Sequence, residues 1–189
     1  MTDQFLDIAR VRLRRARTHE LAEGELRAIR SLLDAAFAPD DPVFPESDWE
    51  HALGGTHFVA LLDRAVVGHA SVVPRELRVG GVPLRTGYVE AVATAPELQG
   101  RGIGTLVMRA ANDHIRETYE LGALGTGEHG FYERLGWRTW RGEAFVRTPD
   151  GDRRTPEEEG FILVLETPST RPLDLGLPIS CDWRVGDVW

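Results

Sequence analysis

The chain has 189 residues and a mass of 21.0 kDa, which predicts one compact domain, 1–189, with a sizeable core. Its 42% hydrophobic and 28% charged content is globular, no apolar run is long enough to span a bilayer, and the start MTDQFLDIARVRLRR lacks a signal-peptide core, so a soluble cytoplasmic protein is expected. A net charge of -8, concentrated in 31–50 and 155–189, argues against a nucleic-acid partner and for a cationic one.

Taken in chain order, Ile8 to Arg15 alternates apolar and basic residues and predicts a strand. Thr18 reads as the N-cap of a long amphipathic helix ending at Phe37, with Leu21, Leu26, Ile29, Leu32, Leu33 and Phe37 near helical spacing. Ala38 to Ser47, with three prolines, reads as a surface loop, and DWEHAL as a short helix beginning at Asp48. His57–Leu62 and Ala65–Val73 form two strands turned at Asp63-Arg64, and Gly80-Gly81 turns the chain again into a strand from Leu84 to Thr94. A helix then runs to about Tyr119, LGALG is a buried strand, and EHGFYERLGW is a helix stopped at Gly136. Trp137–Val146 and Phe161–Leu165 are strand-like, which makes a mixed α/β sheet with helices on both faces. The single cysteine, Cys181, reads as a buried small apolar residue.

The stretch YVEAVATAPELQGRGIG, Tyr88 to Gly104, carries the chemistry. Gly100, Gly102 and Gly104 let the backbone approach a ligand, and the first N–H groups of the following helix form an anion cradle. A nucleotide P-loop needs a lysine after its glycines, and this chain has no lysine. A dinucleotide fingerprint needs its third glycine one residue later and a parallel βαβ unit, whereas a meander precedes this loop. The remaining reading is the pyrophosphate of an acyl-coenzyme A, held by Gln99, Gly100, Arg101, Gly102, Ile103 and Gly104 in the pattern Q-x-x-G-x-G.

With VEAVATAPELQGRGIGTLVM and the later FYERLGW, the chain resembles the GCN5-related N-acetyltransferase (GNAT) superfamily. The resemblance implies a central, mostly antiparallel mixed sheet splayed around acetyl-CoA. SDWEHALGG, LRTGYVEAVA, YELGALG, RTPEEEG and CDWRVGDVW resemble, in order and over nearly the whole length, the aminoglycoside 2'-N-acetyltransferases of actinobacteria. The chain departs from them in the loop ALGTGEHGFY and in extra residues between Asp40 and Asp48.

An amine attacking a thioester must lose its proton, and the carbonyl oxygen and departing thiolate must be stabilised. Glu90, on the strand before the glycine loop, is the candidate base, acting through a water; the alternative is an ion-paired strand glutamate. Tyr132 is the candidate acid for the thiolate; the alternative is a core aromatic. Backbone groups of Val92, Ala93 and Thr94 are expected along the pantetheine arm. The resemblance further implies substrate contacts at Asp40 or Asp41, Asp48, Glu90, Ala91, Gly125 through its backbone, Glu157, Glu158, Asp187 and Trp189 with its terminal carboxylate, and a homodimer. Asp48 reads equally as a helix N-cap, and Trp183 and Trp189 equally as packing anchors. His19, His51, His57, His69, His114 and His129 lack ligand spacing, no metal is expected, and they read as surface or internally satisfied residues. Acetylation of another small amine or amino sugar is the alternative activity; a non-catalytic acyl-CoA- or sugar-binding module is the alternative class.

Overall fold

The computed structural model describes residues 8–38 and 44–189. The described strands are β1 (Arg12–Arg17), β2 (Thr56–Leu62), β3 (Ala65–Val79), β4 (Val82–Thr94), β5 (Leu121–Gly125), β6 (Arg138–Thr139), β7 (Ala144–Thr148), β8 (Gly151–Arg154), β9 (Ile162–Glu166) and β10 (Ile179–Asp182). The described α-helices are α1 (Glu23–Phe37), α2 (Glu46–Ala52), α3 (Ile103–Thr118) and α4 (His129–Glu133). The chain forms two compact units, 1–71 with 90–111, and 72–89 with 112–189, so β3, β4 and α3 each contribute to both. The mixed α/β class expected from the sequence is the one observed.

In the first unit β1 pairs antiparallel with β2, from Arg12 opposite Leu61 to Arg17 opposite Thr56. β1 lies at the edge, and its arginines keep that edge charged and unattractive to further strands. Asp63 (φ 47°) and Arg64 (φ 72°) form the two-residue turn into β3, a conformation whose twist matches a hairpin. Helix α1 buries Ile29, Leu32 and Leu33, spaced by three and four as one helical face requires. Helix α3 buries Ile103, Val107, Met108 and Ala111 by the same rule. Gly68 lets β3 approach that face, since a Cβ there would stand 2.6 Å from Ile103 Cγ2.

The second unit carries the sheet order β6-β9-β5-β4-β3-β10-β7-β8. β4 with β5 and β10 with β7 are parallel pairs, whereas β5 with β9, β6 with β9, β7 with β8 and β10 with β3 are antiparallel. Gly80 (φ 54°) and Gly81 (φ 82°) close the β3–β4 hairpin where the sequence placed it. Its core includes Leu77, Tyr88, Leu121, Trp140, Val164, Ile179, Cys181 and Trp189. Cys181 is buried as expected, its thiol reaching the Val188 carbonyl at 3.2 Å, and burial pushes its pKa up.

Several boundaries differ from the sequence expectations, each for a local reason. Ile8–Arg10 is a 3-10 turn, so the first strand starts at Arg12. Thr18 does not cap α1, because its hydroxyl accepts the Gly54 N–H at 2.9 Å and contacts His57 Nε2 at 2.8 Å. The helix starts at Glu23, and Glu25 Oε2 accepts the Ala22 N–H at 2.9 Å. Helix α2 starts at Glu46 after Pro45, which puts Asp48 in the first turn and not at the cap. The helix before Gly136 (φ 93°) is only His129–Glu133. The strand expected over Trp137–Val146 is split into β6 and β7 around Gly142. There the backbone passes the 176–177 segment so closely that a Cβ on Gly142 would stand 1.9 Å from the Leu177 carbonyl oxygen.

Gly142→Ala therefore forces two backbones apart and is expected to cost about 3 kcal/mol or more. Gly24→Ala, in a helical turn whose nearest neighbour is the end of Arg27 at 4.0 Å, is expected to stabilise by about 0.5 kcal/mol. Thermal unfolding should show Gly142→Ala melting several degrees lower and Gly24→Ala slightly higher than the parent; equal melting temperatures would contradict the close approach.

Candidate active site

Candidate residues lie in both compact units. In the first, the decisive local feature is in β4. Its residues Thr86 to Val89 are buried, but Glu90, Ala91 and Val92 are all half-buried, so the strand's in-out alternation fails at this point. The cause is Ala91, whose φ of 52° is left-handed. That conformation costs an alanine about 1–2 kcal/mol. Side chains of β3 reach this stretch: His69 Nδ1 lies 2.7 Å from the Ala91 oxygen, and the Ser71 hydroxyl 3.4 Å from that of Glu90. Just past the end of β4 the Ala95 N–H donates to the Val67 carbonyl at 3.0 Å. Behind His69, its Nε2 meets His57 Nδ1 at 2.9 Å, and both rings are fully buried.

The chain leaves β4 through a 3-10 turn at Pro96–Leu98 and enters the glycine loop. Gly100 (φ 73°) and Gly102 (φ 87°) are left-handed, as the glycine pattern requires, and nothing lies within 4 Å of where a Cβ would stand on either. Helix α3 starts at Ile103, and its first helical bond runs from the Leu106 N–H to the Gly102 carbonyl at 2.9 Å. The preceding N–H groups have no carbonyl one turn earlier in the helix to bind, and the helix dipole puts partial positive charge there. Gln99, Gly100, Arg101 and Gly102 are exposed; Ile103 is buried and anchors the helix start.

In the second unit, Tyr132 on α4 is 7% exposed and packs edge-on against Phe131 and Trp137. Burial, and then the nearby Glu128 carboxylate, push its phenol well above the ordinary tyrosine value, so it keeps its proton at neutral pH. A phenol in that state is protonated at neutral pH and is available as a hydrogen-bond donor.

The same unit holds a cleft of about 390 Å3 lined by Val146, Thr148, Arg153, Thr155, Glu157, Glu158, Trp183, Gly186, Asp187 and Val188. Three carboxylates and one guanidinium are among its lining groups. Burial, then Asp187, then Glu157 raise the Glu158 pKa, because a half-buried carboxylate beside two others resists ionisation. The tail is tied down around this cleft. Arg75 donates to the Val188 carbonyl at 2.9 Å, the Trp189 N–H donates to Asp187 Oδ1 at 3.1 Å, and the Trp189 indole donates to Thr155 Oγ1 at 3.1 Å. Trp189 is thus a packing anchor at 3% exposure, whereas Trp183 is 57% exposed and lines the cleft. A Cβ on Gly125, at the end of β5, would stand 3.4 Å from the carbonyl carbon of Trp189.

Comparison with known proteins matches residues 17–140 to the acetyltransferase (GNAT) domain. The chain belongs to the GNAT acetyltransferase family. A protein of Mycolicibacterium fortuitum described as an aminoglycoside 2'-N-acetyltransferase is 42% identical over 176 residues, 91% of this chain and 89% of that protein. Among solved structures, a GNAT acetyltransferase from Brucella melitensis in complex with acetyl-CoA aligns with a TM-score of 0.59 at 22% identity, over 86% of this chain and 91% of that one. The GNAT protein YhbS of Escherichia coli in complex with CoA aligns at 0.60 and 18% identity, over 91% and 89%. A probable N-acyltransferase of Enterococcus faecalis and a GCN5-related N-acetyltransferase of Kribbella flavida match over only 33% and 35% of their own length.

Of the residues singled out in this GNAT sequence, the structure groups Glu90 to Thr94 at the β4 bulge and Gln99 to Gly104 at the start of α3. It gathers Glu157, Glu158 and Asp187 in one cleft, with Gly125 beside Trp189. Asp40 and Asp41 lie outside the described residues. Asp48 is on α2 in the first unit, its Oδ1 3.2 Å from the Ser47 hydroxyl. The acidic run 31–50 is also less available than its charge suggests, because Arg30 pairs with Asp34 at 3.6 Å and Glu46 at 3.1 Å. Sequence reasoning passed over His57 and His69, Arg75 and Thr155; only the apolar-flanked positions of the two histidines on adjacent strands hinted at a buried pair. Among the described residues no three His, Cys, Asp or Glu side chains are placed to hold a metal, and no helix is long and apolar enough to cross a membrane.

The histidine pair has a measurable signature. Burial lowers His57 from 6.5 to about 4; burial, and then the neighbouring His57, lower His69 to about 3. Both native rings are neutral, so between pH 6.5 and about 4 the unfolded chain takes up protons that the native chain refuses. This contribution to stability is full above pH 6.5 and is lost as pH falls through that window. Glu158 acts in the opposite sense, because protonation relieves its repulsion. Chemical denaturation between pH 7.5 and 4 should show stability falling more steeply with acid in the parent than in a His57→Gln/His69→Asn double variant; parallel curves would refute the neutral pair.

Proposed function

We propose that this GNAT acetyltransferase moves the acetyl group of acetyl-CoA to the 2'-amino group of an aminoglycoside, the modification that inactivates such antibiotics. The observation that carries the substrate is the near full-length likeness to a named aminoglycoside 2'-N-acetyltransferase. The three-carboxylate cleft suits it, because an aminoglycoside is a polycation at neutral pH and a cation relieves the repulsion that raises Glu158.

The residues present fit acetyl-CoA. Two left-handed glycines, open on the side where other residues carry a side chain, lead into a helix start, which is the arrangement that accepts a pyrophosphate. Gln99 to Gly104 would hold that group, and the main chain of Val92, Ala93 and Thr94 the pantetheine arm. When bound, acetyl-CoA supplies an acetyl group activated as a thioester. Glu90 removes a proton from the acceptor amine through a water, leaving a neutral nucleophile. Tyr132 gives the departing thiolate its proton, the role that the family resemblance implies; its burial keeps the phenol protonated beforehand. Ala91 and Gly125 contribute main-chain contacts to the sugar; Asp40 or Asp41, Asp48, Glu157, Glu158, Asp187 and the terminal carboxylate of Trp189 select and orient it. A cytoplasmic homodimer belongs to the same proposal.

Mass spectrometry after incubation with acetyl-CoA and a panel of aminoglycosides, with NMR to locate the new amide, is expected to give a singly acetylated product at the 2' nitrogen. Turnover of a simple glucosamine derivative with none of the aminoglycosides would overturn the substrate assignment. Glu90→Gln and Tyr132→Phe should each lower kcat about 100-fold or more. Asp187→Asn keeps the Oδ1 acceptor for the Trp189 amide and removes only charge; with Glu158→Gln it should raise the KM for the aminoglycoside about 10-fold while leaving that for acetyl-CoA unchanged. Equal effects on both substrates would mean that the acidic cleft serves the fold alone.

A further inference from the structure

The left-handed Ala91 and the buried histidines behind it form one continuous hydrogen-bonded chain whose direction is set by its two ends. At one end the Gly54 N–H can only donate, and it meets Thr18 Oγ1 at 2.9 Å. At the other end the Ala91 carbonyl can only accept, and it meets His69 Nδ1 at 2.7 Å. His69 Nδ1 therefore carries a hydrogen, and in the neutral ring Nε2 is left as an acceptor. His57 Nδ1, 2.9 Å from that Nε2, must then donate, so His57 Nε2 accepts from the Thr18 hydroxyl at 2.8 Å. Each link fixes the tautomer of the next. The 3.4 Å contact from Thr18 Oγ1 to the Gly55 carbonyl is the longer alternative for the same hydroxyl hydrogen.

Such a chain is more than is needed to satisfy two buried rings. It ends on the carbonyl of the one residue in β4 whose backbone is strained, and a strained conformation persists only where its surroundings hold it. Ala91 joins Glu90 to Val92. Its φ sets the direction in which the Glu90 side chain leaves the strand and the direction of the Val92 N–H.

We infer that His69, oriented by His57 and Thr18, is a positioning residue for acetyl transfer: by holding the Ala91 carbonyl it keeps the β4 bulge in the one conformation that aims Glu90 and the Val92 N–H. This rests on the role proposed above for Glu90, and its consequence is specific. Removing the Nδ1 donor relaxes the bulge and slows the chemical step, and it also loosens the pantetheine contacts of Val92 to Thr94, whereas the glycine cradle, a separate piece of backbone, still holds the pyrophosphate.

Two variants separate this from a general need for a well-filled core. His69→Leu fills the space without a donor; His69→Asn places an amide N–H near the position of Nδ1 and also loses the Nε2 link to His57. Both are expected to melt below the parent. His69→Leu should lower kcat between about 10- and 100-fold while raising the KM for acetyl-CoA by a clearly smaller factor, and His69→Asn should recover most of that kcat. Amide hydrogen exchange followed by mass spectrometry should show faster exchange over 90–94 in His69→Leu, with His69→Asn close to the parent. Equal kcat in the two variants, or exchange over 90–94 unchanged in His69→Leu, overturns the inference. If the parent acetylates no amine, the reading of Glu90 fails by itself, and the exchange pattern still decides whether His69 holds the bulge.

Discussion

The constraint on which the candidate site depends is the interruption of β4 at Ala91. A strand that kept its ladder here would spend every main-chain N–H and carbonyl on its neighbours and alternate its side chains in and out. The left-handed Ala91 departs from that geometry, and it sits in the half-buried run of Glu90, Ala91 and Val92. An interrupted ladder in a protein interior is stable only if the released carbonyls find other donors, because an unsatisfied buried polar group costs about 1–3 kcal/mol. His69 and Ser71, two residues apart on β3 and so on the same face of the strand, provide those donors. Functional geometry on β4 is thus supplied from β3, at positions that carry no recognisable motif.

Electrostatics on the second unit follow from the tail. β10, only four residues long, is paired on both sides, with β3 and β7, and this fixes the segment that brings Trp183 and Asp187 to the cleft. Arg75 reinforces it by donating to the carbonyls of Asp182 and Val188 while its guanidinium lies 4.6 Å from the centre of the Tyr88 ring. A cation held in main-chain and aromatic contacts can stand close to an acidic cleft without neutralising it by a direct ion pair. Arg154 behaves differently: it pairs with Glu143 at 2.9 Å and Glu159 at 2.8 Å, removing those two acids from the count. Glu157, Glu158 and Asp187 are the acids of this region that line the cleft.

Much of the scaffold was legible in the residues because local chemistry decided it. The two-residue turns at Asp63-Arg64 and Gly80-Gly81, the glycine loop into α3, and the buried strand LGALG depend on backbone freedom and periodicity, which a sequence displays. What escaped was decided at a distance. Thr18 looks like a cap until Gly54 and His57 take its hydroxyl, and Trp137–Val146 looks like one strand until the 176–177 backbone crosses at Gly142. β8 and β10 lack alternation, and β10 follows a proline-bearing stretch, so pairing partners alone make them strands. For the site, the glycines and the acids announced themselves by type and spacing. His57 and His69 did not, because twelve residues separate them in the chain and their meaning lies in a contact.

That contrast has a physical basis in what each half of the proposed reaction requires. Holding a pyrophosphate is a task for main-chain N–H groups, so its signature is the presence of residues that free the backbone, and only glycine at φ 73° and 87° does so without strain. Attracting a polycation is a task for side-chain charge, where many placements of a carboxylate serve; its signature is composition, and single positions are blurred. Aiming a base demands the finest geometry of the three and is achieved here by a strained alanine held from behind. An alanine has no motif value, and a histidine without ligand spacing reads only as a surface or internally satisfied residue. The most precisely determined part of such a site is therefore the part that sequence patterns describe least, and hydrogen-bond direction, traced from one fixed donor to one fixed acceptor, is what brings it to view.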